Sequence, residues 1–135
     1  MKVVASLFPP GANQDVIRAV RAVLPAAVPD DYFEFLARSD GGEVGFDEDD
    51  PAWFDCLQLY SSSEMLSLRS VFEELWPTFV VIGSDGGTQH LAYDMTAGEP
   101  WPLVMHLPGS GSTRVAATMT ELAERYFRPV GEVIA

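Results

Sequence analysis

His90, Asp94, His106 and Cys56 are the residues of this chain whose types suit proton transfer, metal ligation or nucleophilic attack. Spacing argues against each. On a strand, His90 and Asp94 share a face but stand about 13 Å apart at ~3.3 Å per residue. A hydrogen bond needs about 3 Å, so they form no dyad, and the expected role of Asp94 is a bond to nearby turn backbone. His90 and His106 would be ligands if their strands were neighbours, yet no third ligand stands at a recognisable spacing. They read instead as surface or half-buried histidines. Asp47-x-Asp49 opens like a calcium loop, but Ala52 occupies the required glycine and Gln58 the bidentate glutamate. Gly83-x-x-Gly86-Gly87 and Gly109-x-Gly111 lack the Lys-Ser/Thr of a phosphate loop and read as turns. Ser84, between Gly83 and Asp85, is no nucleophile elbow. Cys56 falls on an expected strand, where a buried, inert thiol is usual. No catalytic, cofactor-binding or metal residue is assigned, and the chain is read as a non-enzyme.

Charge is the more informative property. The net charge is −12, from twenty acids and eight bases. Residues 1–38 and 114–135 are each neutral, while residues 39–113 hold thirteen acids and one base, Arg69. Such a field repels nucleic acid and attracts basic proteins. Its densest part is Asp47-Glu48-Asp49-Asp50, a solvated loop because adjacent carboxylates cannot be buried together. Trp53 and Phe54 follow directly and have two readings. They are an exposed aromatic hot spot beside carboxylates, or rings that turn inward and anchor the loop.

The elements that position these residues follow from periodicity and stop signals. A helix is expected from Asn13 or Gln14 to Val23, with Val16, Ile17, Val20 and Leu24 on one face. A second runs from Pro29-Asp30 to Gly41-Gly42, with Tyr32, Phe33 and Leu36 inward. Glu43–Phe46 and Asp55–Tyr60 read as strands. Ser61-x-x-Glu64 is a capping box, followed by Met65, Leu68, Phe72, Leu75 and Trp76 at helical spacing, and Pro77 ends that helix. Thr78–Gly83 and Thr88–Asp94 form a hairpin around Ser84–Gly87. Trp101–Leu107 is a further strand, and Gly109–Ser112 a flexible turn. Thr118-x-x-Glu121 caps a last helix bearing Met119, Leu122, Ala123, Tyr126 and Phe127. The end of the chain reads as a loose tail. The fold class is α+β, mainly antiparallel sheet with N-terminal helices, one inserted helix and a C-terminal helix, in a single domain over residues 1–135.

Two phrases carry a family resemblance. The first is Val28-Pro29-Asp30-Asp31-Tyr32-Phe33-Glu34-Phe35-Leu36 with Ser39-Asp40-Gly41-Gly42. The second is Phe79-Val80-Val81-Ile82-Gly83-Ser84-Asp85-Gly86-Gly87 with Leu91-Ala92-Tyr93-Asp94. In this order and separation they resemble the SUKH superfamily. Asp40 stands where that family usually has Asn, and both side chains tolerate left-handed backbone and helix ends. The resemblance implies the SUKH fold and a binding activity. Many bacterial members are immunity proteins of polymorphic toxin systems, and a fungal cell-wall regulator also belongs.

The expected function is therefore a toxin-neutralising immunity protein that blocks a cognate toxin domain through an acidic surface, without catalysis. The alternative is a non-catalytic regulatory or scaffold module on a housekeeping protein. The candidate partner-binding residues are Asp47, Glu48, Asp49, Asp50, Trp53 and Asp55, with Glu43, Asp85 and Glu99 as neighbours. The expected partner is a basic protein, with no nucleic acid, membrane or cofactor. A lone cysteine and a start interrupted by Pro9-Pro10 point to a cytoplasmic protein. Seven Arg against one Lys hint at a GC-rich bacterial genome.

Overall fold

The computed structural model describes residues 1–47 and 55–134. Among them the order is β1 (Val3–Leu7), α1 (Gln14–Val23), α2 (Asp30–Arg38), β2 (Gly42–Phe46), β3 (Cys56–Leu59) and α3 (Ser62–Leu75). β4 (Phe79–Ser84), β5 (His90–Asp94), β6 (Leu103–Leu107), β7 (Gly111–Ala116) and α4 (Met119–Tyr126) follow. The seven strands form one antiparallel sheet in sequence order. This is the expected α+β class, with one helix inserted between β3 and β4 and another at the end.

Local chemistry fixes the helix starts. Asn13 accepts from the Val16 amide at 2.9 Å and caps α1. Ser61 and Glu64 close a reciprocal capping box on α3, and Thr118 caps α4 by accepting from the Glu121 amide. Two carboxylates then join helices to each other. Asp40, just past α2, accepts from the Ser62 amide and hydroxyl at 2.7 and 3.1 Å. Asp31, at the start of α2, accepts from the Thr120 amide and hydroxyl, both at 3.0 Å. Buried apolar side chains of the helices, including Ile17, Val20, Tyr32, Leu36, Met119 and Leu122, share one cluster with Val44, Leu57, Leu59, Leu91, Tyr93, Leu103 and Met105 of the sheet.

Three segments differ from the sequence reading. The N-terminal residues form β1 rather than only leading into a helix, and β7 continues from the turn at Gly109–Ser112. Both are edge strands with mostly exposed side chains, so they lack the alternation by which buried strands are recognised. The supposed loose tail is paired. Val3 donates to the Glu132 carbonyl at 2.9 Å, Gly131 donates to the Val3 carbonyl at 2.8 Å, and Ile134 donates to Met1. This covers part of an edge that would otherwise present unpaired backbone. On α3, Arg69 is buried at 8% exposure, whereas Leu75, expected inward, is 58% exposed.

The join between the two halves of the sheet is tight. β3 meets β4 at Gln58↔Ser84 and Leu59↔Gly83. A Cβ at Gly83 would lie 2.0 Å from the Gln58 carbonyl oxygen, which is sterically impossible without moving the strands. At Gly98 an added Cβ meets nothing within 4 Å. Gly83→Ala is expected to cost more than about 2 kcal/mol by overpacking, while Gly98→Ala stays within about 0.5 kcal/mol. Urea denaturation of both variants checks the contrast; equal midpoints would refute it.

Candidate partner-binding surface

Register shows which candidate residues come together. Gln58↔Ser84, Ser84↔His90 and His90↔His106 lie in one row. The β2–β3 connection, the Asp85–Gln89 turn and the β6–β7 turn therefore share one end of the sheet. Asp47 and Asp55 flank the first connection: the Asp47 amide donates to the Lys2 carbonyl, and the Phe46 amide to the Asp55 carbonyl. Glu43 is exposed on β2 and pairs in register with Gln58. Glu99 is exposed in the β5–β6 connection, beyond Asp94, at the opposite end of the sheet. Glu48, Asp49, Asp50 and Trp53 lie outside the described residues.

Cys56 reports how closely the first group gathers. Its thiol is pushed up, first by burial and then by the charges of Glu43, Asp55 and Asp85. The Asp85 turn lies over it, since a Cβ on Gly86 would sit 3.7 Å from the sulfur. Cys56 is half-buried, not fully buried as its strand position implied, and its surroundings disfavour the thiolate. Asp85 also holds its own turn, accepting from the Gly87 amide at 2.8 Å and from the Gln89 amide and side chain at 3.2 and 3.3 Å. It thus supplies both negative charge and turn geometry.

The motif residues elsewhere do structural work. Gly41 and Gly42 take φ of 82° and 154°, conformations that favour glycine. Asp94 accepts from the Thr96 amide and hydroxyl at 2.9 and 2.6 Å, the turn bond its sequence context implied. Tyr32 and Tyr93 meet edge to face at 6.3 Å. Burial drives both phenols upward, aided by the charge of Asp40 at Tyr32 and of Asp31 at Tyr93. Ser84 is buried, donates to Gln58 and accepts from the Gly86 amide.

The two histidines are neighbours across β5 and β6. Aromatic rings enclose them: Trp76 lies 4.4 Å from His90, and Phe79 stacks on His106 at 4.3 Å. Among the described residues no three His, Cys, Asp or Glu side chains form a metal cluster. No helix among them is long and apolar enough to cross a membrane.

What this arrangement offers is a charged, partly aromatic surface on a scaffold held by its own motif residues. A model of the SMI1 / KNR4 family (SUKH-1) matches residues 11–125, and the chain belongs to that family. Membership supports, in general terms, a non-catalytic immunity or regulatory module. No curated protein matches the chain.

One consequence concerns pH. His90 is shifted downward, first by burial and then by His106, with Asp85 opposing. The folded state therefore binds its proton less readily than the unfolded chain, whose histidines titrate near about 6.5. The stability this represents is present above that pH and is lost as pH falls through the folded-state value. Urea midpoints are expected to fall between pH 7.5 and 5.5, and less steeply in His90→Gln. An equal slope in both proteins would refute the assignment to His90.

Proposed function

We propose that this protein is an immunity protein that binds a basic toxin domain through its acidic surface and blocks it without chemistry. Family membership supports the class. The observation that carries the finer reading is the distribution of charge. Between residues 39 and 113 the sole Lys or Arg is Arg69, and it is more than nine-tenths buried. Exposed Glu43 and Asp55 on that stretch therefore have no neighbouring surface cation from their own segment. A toxin acting on nucleic acid presents Lys and Arg to phosphates, so an acidic surface competes for the same groups. The compartment proposed is the cytoplasm, where the lone Cys56 stays reduced.

The acidic loop end, with Asp47, Glu48, Asp49, Asp50, Trp53, Asp55 and Asp85, is the proposed first point of encounter. Glu43 extends it along the sheet, and Glu99 stands apart as a rim charge. Carboxylates placed this way raise association rates through long-range attraction, which salt screens over about 10 Å at 0.1 M.

The test begins with capture of partners on tagged protein at low salt, released by salt steps. Support requires that the captured protein be toxic when expressed alone and harmless with this chain. Capture of a housekeeping protein with no toxicity would replace the reading with a regulatory one. With the partner in hand, Asp47→Asn/Asp55→Asn should slow association about threefold to tenfold in low-salt stopped flow. Its urea midpoint should stay near that of the parent protein. Unchanged association would remove this end of the sheet from the encounter surface.

A further inference from the structure

On the sheet surface bearing His90 and His106, six rings form a connected strip. Tyr60 stacks on Phe72 at 5.9 Å, and Phe72 on Trp76 at 5.8 Å. Trp76 reaches His90 at 4.4 Å and His106 at 6.3 Å, and Phe79 covers His106 at 4.3 Å. All six residues are half-buried. Phe72, Trp76 and Phe79 lie outside the main hydrophobic cluster. Val81, Ala92 and Val104, on this same face by register, are buried yet also lie outside that cluster. Those three side chains are covered on this face, and the half-buried rings keep part of their surface exposed.

Acidic groups border the strip at its Tyr60 end. A groove of about 290 Å³ is lined there by Tyr60 and Gln58 together with Asp40, Glu43 and Glu64. Glu43, Gln58, Ser84, His90 and His106 follow one another in register across β2 to β6. The groove thus leads directly onto the rings. The downward shift of His90 keeps its imidazole neutral at neutral pH, so it adds no repulsion toward a cation. Of the basic residues near this face, Arg69 is buried, and exposed Arg114 lies beyond Val104 on β7. Arg114 bounds the favourable region on that side.

We propose that the groove at Tyr60 and the adjoining rings form the docking site for an arginine-bearing segment of the protein partner. The proposal rests on the immunity reading above and names the anchoring surface within it. Arginine is favoured over lysine because a planar guanidinium both stacks on aromatic faces and pairs in two-pronged fashion with carboxylates. Aromatic rings beside a charged rim are also the composition of binding hot spots.

The probe is a ten-arginine peptide, compared with a ten-lysine peptide, titrated into the whole chain and followed by NMR. The Trp76 indole is assigned through Trp76→Phe, and the His90 and His106 ring signals through their Gln variants. The arginine peptide should shift all three and bind at least about threefold tighter than the lysine peptide. Tyr60→Leu should weaken it about threefold to tenfold, and Asp47→Asn/Asp55→Asn should leave the ring shifts in place. Shifts confined to residues 47, 55 and 85 would overturn the docking site and leave the immunity reading standing. No binding of either peptide at low salt would overturn the docking site and also the acidic surface as a point of encounter, leaving the immunity reading to the capture experiment. Because the parent chain itself reports the ring shifts, a Tyr60→Leu protein that failed to fold would not remove the test.

Discussion

The close approach of Gly83 to the Gln58 carbonyl is the constraint on which the rest of the sheet depends. It is the place where β3 accepts β4 after a helix has intervened. The strands from β4 to β7 follow one another through short connections, while β1–β2 and β3–β4 each pair across intervening helices. Here the chain leaves β3, forms fourteen residues of α3, and must return to the same edge. The Tyr60 amide bonding to the Ile82 carbonyl and the Ser84 hydroxyl bonding to Gln58 hold that return on either side of the glycine. A side chain at position 83 would press against the Gln58 carbonyl and strain the pairing of β3 with β4. Through this join Glu43 of β2 and Asp55, just before β3, share one sheet with the histidines of β5 and β6.

The residues that make the family recognisable are spent on holding this scaffold. Asp40 ties α2 to α3, Asp94 closes the turn after β5, and Asp85 closes the turn before it. Tyr32 and Tyr93 meet in the core. None of these jobs requires a particular partner. Glu43 and Asp55 are exposed, and Trp76 is half-buried outside the main cluster, so changes there spare the contacts that the signature residues make. A fold whose signature residues chiefly hold turns, helix ends and core can therefore present unrelated surfaces on the same frame.

This division explains what the sequence made legible. α1, α3 and α4 announce themselves through Asn13, the Ser61–Glu64 box and Thr118, because capping is a local interaction between residues three apart. Leu57 and Leu59 mark the buried face of β3 by alternation. β1 and β7 carry no such mark, since an edge strand is held by backbone pairing and needs no apolar pattern. The pairing of residues 131–134 with β1 joins opposite ends of the chain, which no window of sequence brings together. Arg69 was missed for a different reason. Its charge promises exposure, yet it occupies the inward stripe of α3 between Met65 and Phe72. Its Nε and one terminal nitrogen have no hydrogen-bond partner among the described residues. The gathering of Glu43, Asp55 and Asp85 around Cys56 was only half legible. Their types were plain, but Glu99, equally acidic, falls at the other end of the sheet.

The buried position of Arg69 changes how the acidity should be understood. An exposed arginine there would neutralise part of the field and offer nearby carboxylates an internal partner. Buried, it leaves the surface of its segment without a cation, at the cost of a desolvated guanidinium. Two ranges of interaction then operate on one sheet. On the reading proposed above, the carboxylates at the loop end act over a screening length and would set how quickly a basic partner arrives. In the proposed docking site the rings beside Tyr60 act only at contact and would set how long it stays. Asp55 stands before β3 and Tyr60 after it, so substitutions at the two places would alter arrival and retention separately.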